Sequence, residues 1–236
     1  MQMSELVSAV RGVVNRTDKD TLIATWLNLS VLELARVHDW TDLQSVVTGS
    51  CIVDDYGPFS YTTECSSLFR VCHYFSLLGD NRRLLRRYGS REGVQKFPDI
   101  SELTSGVPSG YVDYGGTFAF VPPPDSTYDW EMGIGVFPTA MTVDADEPSI
   151  ANIDDLLIYM TAMHISMALG LVEDAGEFRT VVFNDYPGRG VRRGLLQQAI
   201  ASDKMRPDRV VLLGSGPARS FMSRDEAIAS PYVETI

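Results

Sequence analysis

Asp18–Trp40, DKDTLIATWLNLSVLELARVHDW, carries the longest uninterrupted helical pattern in the first half of the chain. Apolar residues recur at Leu22, Ile23, Trp26, Leu27, Leu29, Leu32, Leu34, Ala35 and Val37, the spacing of a helix with one broad buried face. Thr17 followed by Asp20 resembles a capping box, which would set a carboxylate at the positive end of that helix. The pattern stops at His38-Asp39-Trp40, where polar and aromatic residues lead into strand-like sequence. So wide an apolar face needs partners on more than one side. One candidate precedes it: Ser4–Asn15 reads as a short amphipathic helix, with Leu6, Val7, Val10, Val13 and Val14 on one side. The turn at Asn15–Asp18 is tight enough to lay the two helices antiparallel.

The other candidates lie far along the chain. Ile153, Leu156, Leu157, Met160, Met163, His164, Met167, Ala168 and Leu171 keep helical spacing, and Gly170 sits where a C-cap is expected. A further pattern with Phe178, Val181, Val182 and Tyr186 meets Pro187-Gly188-Arg189-Gly190, which should break or kink it. Val191–Met205 resumes with Leu195, Leu196, Ala199 and Ile200. From Arg206 onward, Pro207, Gly214, Gly216, Pro217 and Pro231 leave no helical period; Val210–Leu213 reads as an added strand and the remainder as an extended tail.

Between these helical ends the period changes to two. Leu43, Ser45, Val47, Cys51 and Val53 alternate, and Asp54–Pro58 is a turn cluster. Tyr61–Leu78 is aromatic and β-branched. Asn81–Tyr88, with Arg82, Arg83, Arg86 and Arg87 around Leu84 and Leu85, reads as one short helix. Tyr111–Tyr114 and Thr117–Val121 flank Gly115-Gly116, a hairpin signal. Tyr128–Phe137 carries Trp130, Met132, Ile134 and Val136 on one face, with Gly133 and Gly135 opposite, where backbone approaches closely or bends. The expected fold is α+β: an antiparallel helical bundle formed by residues 1–41 and 150–205, a large all-β insertion over 42–149, and an extended C-terminal tail over 206–236.

Composition narrows the function. The 236 residues, 44% hydrophobic and 10% aromatic, suffice for a sizeable core. A net charge of −11 disfavours binding of nucleic acid through phosphate neutralisation, yet suits a surface past which DNA slides. Three cysteines, Cys51, Cys65 and Cys72, form no CxxC pair and fit a reducing cytosol. The N-terminus lacks a signal-peptide h-region, and no apolar run approaches a membrane span.

Motifs for chemistry are incomplete. Val210–Pro217, VVLLGSGP, enters a G-x-G as a nucleotide-binding strand would, but Arg219 stands at the third glycine and too little chain follows for a βαβ unit. His38, His73 and His164 sit on different elements without zinc-ligand spacing. Asp144, Asp146 and Glu147 lack the glycine and closing glutamate of a calcium loop. No catalytic residue, cofactor or metal site is expected; His164 reads as a hydrogen-bonded core histidine and the Met160, Met163, Met167 stripe as packing.

Three stretches carry a resemblance: ELARVHDWTDL (Glu33–Leu43), GVPSGYVDYGGTFAFVPPPDSTYDWEMGIGVFPTAM (Gly106–Met141) and DEPSIANIDDLLIYMTAMHISMALGLVEDAGEFRTVVFNDY (Asp146–Tyr186). Together they resemble the adaptor, or head-to-tail connector, proteins of tailed bacteriophages. Departures are the Pro187–Gly190 break and the region after Met205. The resemblance implies a structural virion protein at the neck, made in the host cytoplasm. It would form a homo-oligomeric ring of twelve copies beneath the portal protein, touching a downstream tail or nozzle protein, with genomic DNA passing through unread. The tail would dock on the portal through Val210, Leu212, Arg219, Phe221, Pro231 and Tyr232. Subunit contacts would involve Leu29, Val31, Arg82, Arg83, Arg86 and Arg87, the arginines meeting an acidic neighbour. Asp18–Trp40 would be the central stave, so that a charge at Leu29 or Val31 harms the ring more than the fold while Trp26→Ala unfolds the bundle. The alternatives are a tail-completion or neck protein bound to another ring, and a nucleotide-binding enzyme using Gly214–Pro217.

Overall fold

The computed structural model describes residues 1–79, 82–183 and 194–205. Within them the fold is α+β, with seven α-helices and two four-stranded sheets. The helices are α1 (Met3–Val14), α2 (Asp20–Val37), α3 (Tyr61–Glu64), α4 (Ser90–Lys96), α5 (Asp154–Ala168), α6 (Val172–Phe183) and α7 (Leu195–Lys204). The strands are β1 (Gln44–Cys51), β2 (Phe59–Ser60), β3 (Phe69–Leu77), β4 (Arg83–Leu84), β5 (Arg86–Gly89), β6 (Gly110–Tyr114), β7 (Thr117–Val121) and β8 (Tyr128–Val136).

The helical core is centred on α5 rather than on α2. Nine of its fifteen residues are buried, against six of eighteen in α2, and it packs on α1, α2, α6 and α7. Its apolar residues do not form a stripe: Leu156, Leu157, Ile158, Met160, Ala162, Met163 and Ile165 cover every side, the pattern of a helix enclosed all round. Small residues allow close approach, and Thr161 Oγ1 donates to Ser30 Oγ of α2 at 3.3 Å in the buried seam. Val31, expected on a free face, is 3% exposed within this core, whereas Leu29 is 44% exposed. The difference is rotation: Ile23, Leu27, Val31 and Leu34 share the face that meets α5, and Leu29 lies off it. Trp26 is only half-buried and stacks on His164, with ring centroids 5.1 Å apart.

Thr17 caps nothing. α2 begins after Lys19 without a side-chain cap, and Asp20 instead accepts from Arg11 of α1, at 3.1 Å through Nε and also through Nη2. Two charge-assisted bonds from a packed neighbour outcompete one to a local amide. At the far end of α5, Gly170 takes φ +75°, while Gly170 N donates to Met167 O (3.1 Å) and Leu171 N to Ser166 O (2.8 Å). The second of these is the six-to-one bond of a Schellman stop, which glycine permits. Pro187–Gly190 lies outside the described residues.

The first sheet has the order β1-β8-β3-β4 and the second β2-β7-β6-β5. One core lies between them: Phe75, Leu77, Trp130, Met132 and Ile134 come from the first sheet, and Tyr111, Phe118 and Phe120 from the second. Phe75 meets Phe118, Phe120, Tyr111 and Trp130 at centroid distances of 5.0–5.5 Å. The hairpin β6–β7 turns on Gly115 (φ +59°) and Gly116 (φ +85°), both of which need the left-handed region. Gly133 and Gly135 mark close approach: a Cβ at Gly133 would lie 2.1 Å from the Tyr74 ring.

The arginine-rich tract is not the short helix expected. Arg83–Leu84 pairs with β3, Arg86–Gly89 runs parallel to β6, and a helix begins only at Ser90. Leu85 decides this. Its side chain is 7% exposed in the aromatic core and its N–H donates to Phe75 O at 2.8 Å, so Leu84 turns outward at 66%. Alternate burial of adjacent leucines is strand geometry, imposed by a core the local sequence does not reveal.

Candidate functional site

His38–Asp42, HDWTD, joins the helical core to the sheets. Trp40, 1% exposed, donates its indole N–H to Leu34 O at 2.8 Å, helping to satisfy the end of α2. Its polar neighbours are held by distant elements. His38 Nε2 lies 2.9 Å from Asp203 Oδ2 on α7, and Thr41 N donates to the same carboxylate at 3.2 and 3.3 Å. Asp39 accepts from Arg70 of β3 and faces His73 Nε2 at 3.4 Å. Asp42 Oδ2 accepts from Ala151 N at 2.9 Å, just before α5. Asp203 is buried, so its charge is tolerated because these donors surround it. The joint therefore fixes α7, β3 and the approach to α5 relative to the start of β1.

The expected contact residues divide between the two cores. Leu29 lies on the helical side and Val31 inside it. On the sheet side, Arg82 donates to Ser76 Oγ at 3.2 Å and to Glu131, and lies 5.7 Å from the centre of the Tyr74 ring. Burial, then the hydrogen bond to Glu131 (2.7 Å), pushes the Tyr74 hydroxyl up to about 12. Arg87 pairs with Asp113, and Arg86 with Glu92 at 3.3 Å while lying over Tyr88. Arg83 is exposed on β4. Three of the four arginines thus have carboxylate partners within their own chain. Val210, Leu212, Arg219, Phe221, Pro231 and Tyr232, like Gly214–Pro217, lie outside the described residues.

The histidines pair with carboxylates, and the cysteines lie in or against the sheet core. His164 Nε2 lies 3.1 Å from Glu33 Oε2, so each of the three histidines faces one carboxylate. Among the described residues, no three His, Cys, Asp or Glu side chains are grouped to hold a metal ion, and no helix is long and apolar enough to cross a membrane. The three cysteines are free thiols; burial, with Cys72 and Glu64 nearby, pushes Cys65 up to about 11. Asp146 closes a loop: its Oδ2 accepts from Thr142 N (2.6 Å) and Val143 N (2.9 Å), bonds that hold its carboxyl below the ordinary range.

The joint residues within HDWTD were visible in the sequence only as the end of a helix. Their partners are up to 165 positions away, and no spacing rule connects His38 with Asp203.

Polar clusters thus clamp the elements to one another around two cores. The chain belongs to the SU10 adaptor protein family, whose model matches residues 1–217, and it is a structural adaptor of a bacteriophage. No curated relative matches it.

Proposed function

We propose that the chain is the subunit of a ring, twelve copies around, that sits beneath the portal at the phage neck, contacts the tail or nozzle below and lets the genome pass. The observation that carries this reading is the family match, which spans both cores and runs past the end of α7. In this reading residues 1–41 and 150–205 act as one helical bundle, 42–149 as an inserted β domain, and 206–236 as a tail that docks on the portal through Val210, Leu212, Arg219, Phe221, Pro231 and Tyr232. The buried residues support the division in the main: one cluster is made by the helices with Leu43 and Met141 joining it, the other by the strands with Tyr61 and Leu85. A closed ring of identical copies needs head-to-tail contacts between unlike surfaces. Exposed Leu29 and the arginine-bearing edge β4–β5 supply two unlike surfaces, and the acidic balance suits both a neighbour for the arginines and a channel for DNA.

The test is assembly. The full chain mixed with the purified portal should give a ring whose mass corresponds to twelve copies, read by native mass spectrometry. A chain ending at Met205 should keep its far-UV circular dichroism and lose that binding. Binding that survives the truncation overturns the tail assignment, and binding to a tail ring but not to the portal overturns the position in the neck.

A further inference from the structure

Sulfur gathers at one place between the sheets. Cys65 closes α3, Cys72 lies on β3 and Met132 on β8, and all three belong to the inter-sheet core or pack against it. Cys65 Sγ is 3.7 Å from Met132 Sδ. Cys72 pairs with Ile134, which shares the inward face of β8 with Met132 two residues away. On that inward side Tyr111 Oη donates to Cys72 Sγ at 3.5 Å. The third thiol, Cys51, is elsewhere, against Tyr128 O at the start of β8. Two sulfurs bound tetrahedrally to one cation at about 2.3 Å lie about 3.8 Å apart, so Cys65 and Met132 already have the spacing of neighbouring ligands. That spacing is also ordinary sulfur contact, and Tyr61 separates the two readings. Tyr61 is 2% exposed, its ring is stacked on Phe69 at 4.2 Å, and its hydroxyl has no hydrogen-bond partner among the described residues. The groups close enough to act on that hydroxyl are Asp113, Cys72, Arg87 and Cys65. A buried O–H without an acceptor is costly, and a thiol is a weak acceptor where a thiolate is a strong one.

We propose that Cys65 Sγ, Cys72 Sγ and Met132 Sδ form a binding site for a soft monovalent cation of the copper(I) class, with Tyr61 and Tyr111 as hydroxyl donors to the two thiolates. Two thiolates and a thioether are the ligands that select such a cation, and they fall short of the four ligands of a structural zinc site. On binding, the two S–H bonds give up their protons to water and two metal–thiolate bonds form, with no change of oxidation state. Burial holds both thiols protonated beforehand, which leaves the site to a cation thiophilic enough to displace those protons. The filled set carries one negative charge, and Arg87 lies close enough to Cys72 to act on it. The site lies wholly within one chain and does not depend on the ring or the portal.

Native mass spectrometry of the full-length chain, kept reduced and given copper(I) in competition with the chelator bicinchoninate, tests it. The parent should retain one copper ion per chain. Cys65→Ser and Cys72→Ser should each weaken retention about tenfold or more, Met132→Leu less, and Cys51→Ser not at all, with far-UV circular dichroism confirming each fold. Tyr61→Phe should weaken retention about tenfold while leaving the metal-free chain as stable as the parent or more so, because it removes a hydroxyl that only a thiolate would satisfy. A parent chain that yields its copper to the chelator overturns the proposal, as does a Cys65→Ser or Cys72→Ser chain that holds copper as tightly as the parent. Equal loss on Cys51→Ser overturns it in favour of copper bound by any thiol.

Discussion

Around α5 the packing is aliphatic, made of Leu156, Leu157, Met160, Met163 and Ile165 against Leu6, Val10, Leu27, Val31 and Leu34. Between the sheets it is aromatic, with Phe75 in ring contact with Tyr111, Phe118, Phe120 and Trp130. Flexible aliphatic and methionine side chains adapt to changes in neighbouring helices, whereas edge-on rings add directional contacts to the area they bury. The sheets also set glycines under rings: Gly133 beneath Tyr74 and Gly49 beneath Trp130, whose Cζ2 would lie 2.3 Å from an added Cβ. One core tolerates adjustment and the other prescribes shape.

The largest expected effect tests the prescribed core. Phe118→Ala removes a ring in contact with Phe59, Tyr61, Phe75, Phe120 and Trp130, and should cost about 3–5 kcal/mol by urea unfolding. If the two cores are energetically separate, near-UV ellipticity will fall at lower urea than the far-UV helix signal; coincident loss would make them one cooperative unit. Val31→Asp buries an unpaired carboxylate and should cost several kcal/mol, abolishing the cooperative far-UV transition, whereas Leu29→Asp should stay within about 0.5 kcal/mol of the parent. Equal effects at the two positions would remove the distinction between core and surface on α2. Gly133→Ala should lose about 1–3 kcal/mol, and Tyr74→Ala in the same chain should recover part of it, since the clash is with that ring.

Asp203→Ala tests the joint between the cores. Leaving Thr41 N without its acceptor and His38 without its partner should cost about 1–3 kcal/mol and bring the thermal midpoints of the two regions apart. The smallest effect is at Asp146. Its carboxyl is depressed in the folded chain by the Val143 and Thr142 amides, so its stabilisation is present above the unfolded value and lost as pH falls through the lower folded one. Asp146→Ala should therefore lower stability slightly at neutral pH, the difference from the parent closing as pH falls through the folded value, which flattens the acid arm of the stability–pH curve.

Local signals announced some of this architecture. The spacing of Leu6, Val10, Leu27 and Leu34 marked α1 and α2, the glycine pair marked the β6–β7 hairpin, and alternation from Trp130 to Ile134 marked the inward face of β8. Other features depended on distant chain. Arg82–Tyr88 has a helix-like arrangement of leucines and arginines, and only Phe75 O and the aromatic core turn it into strands. The primacy of α5 was hidden because a helix apolar on all sides has no stripe to read. Leu29 and Val31, two positions apart on one helix, differ in burial through a rotation that depends on where α5 lies. The joint was the least legible part, since Asp39, Asp42 and Asp203 are ordinary surface residues until their partners arrive.

Asp203, near the C-terminal end of α7, ties that helix to two other elements at once. A pull applied beyond Met205 reaches Asp203 first and divides there, one branch into the end of α2 through His38 and the other into the start of β1 through Thr41. Tension on α7 would thereby be shared by the helical core and the sheets. An adaptor loaded through its C-terminus would hold at the seam of its two cores, and in a force experiment Asp203→Ala should lower the first rupture force more than any change within α7's own surface.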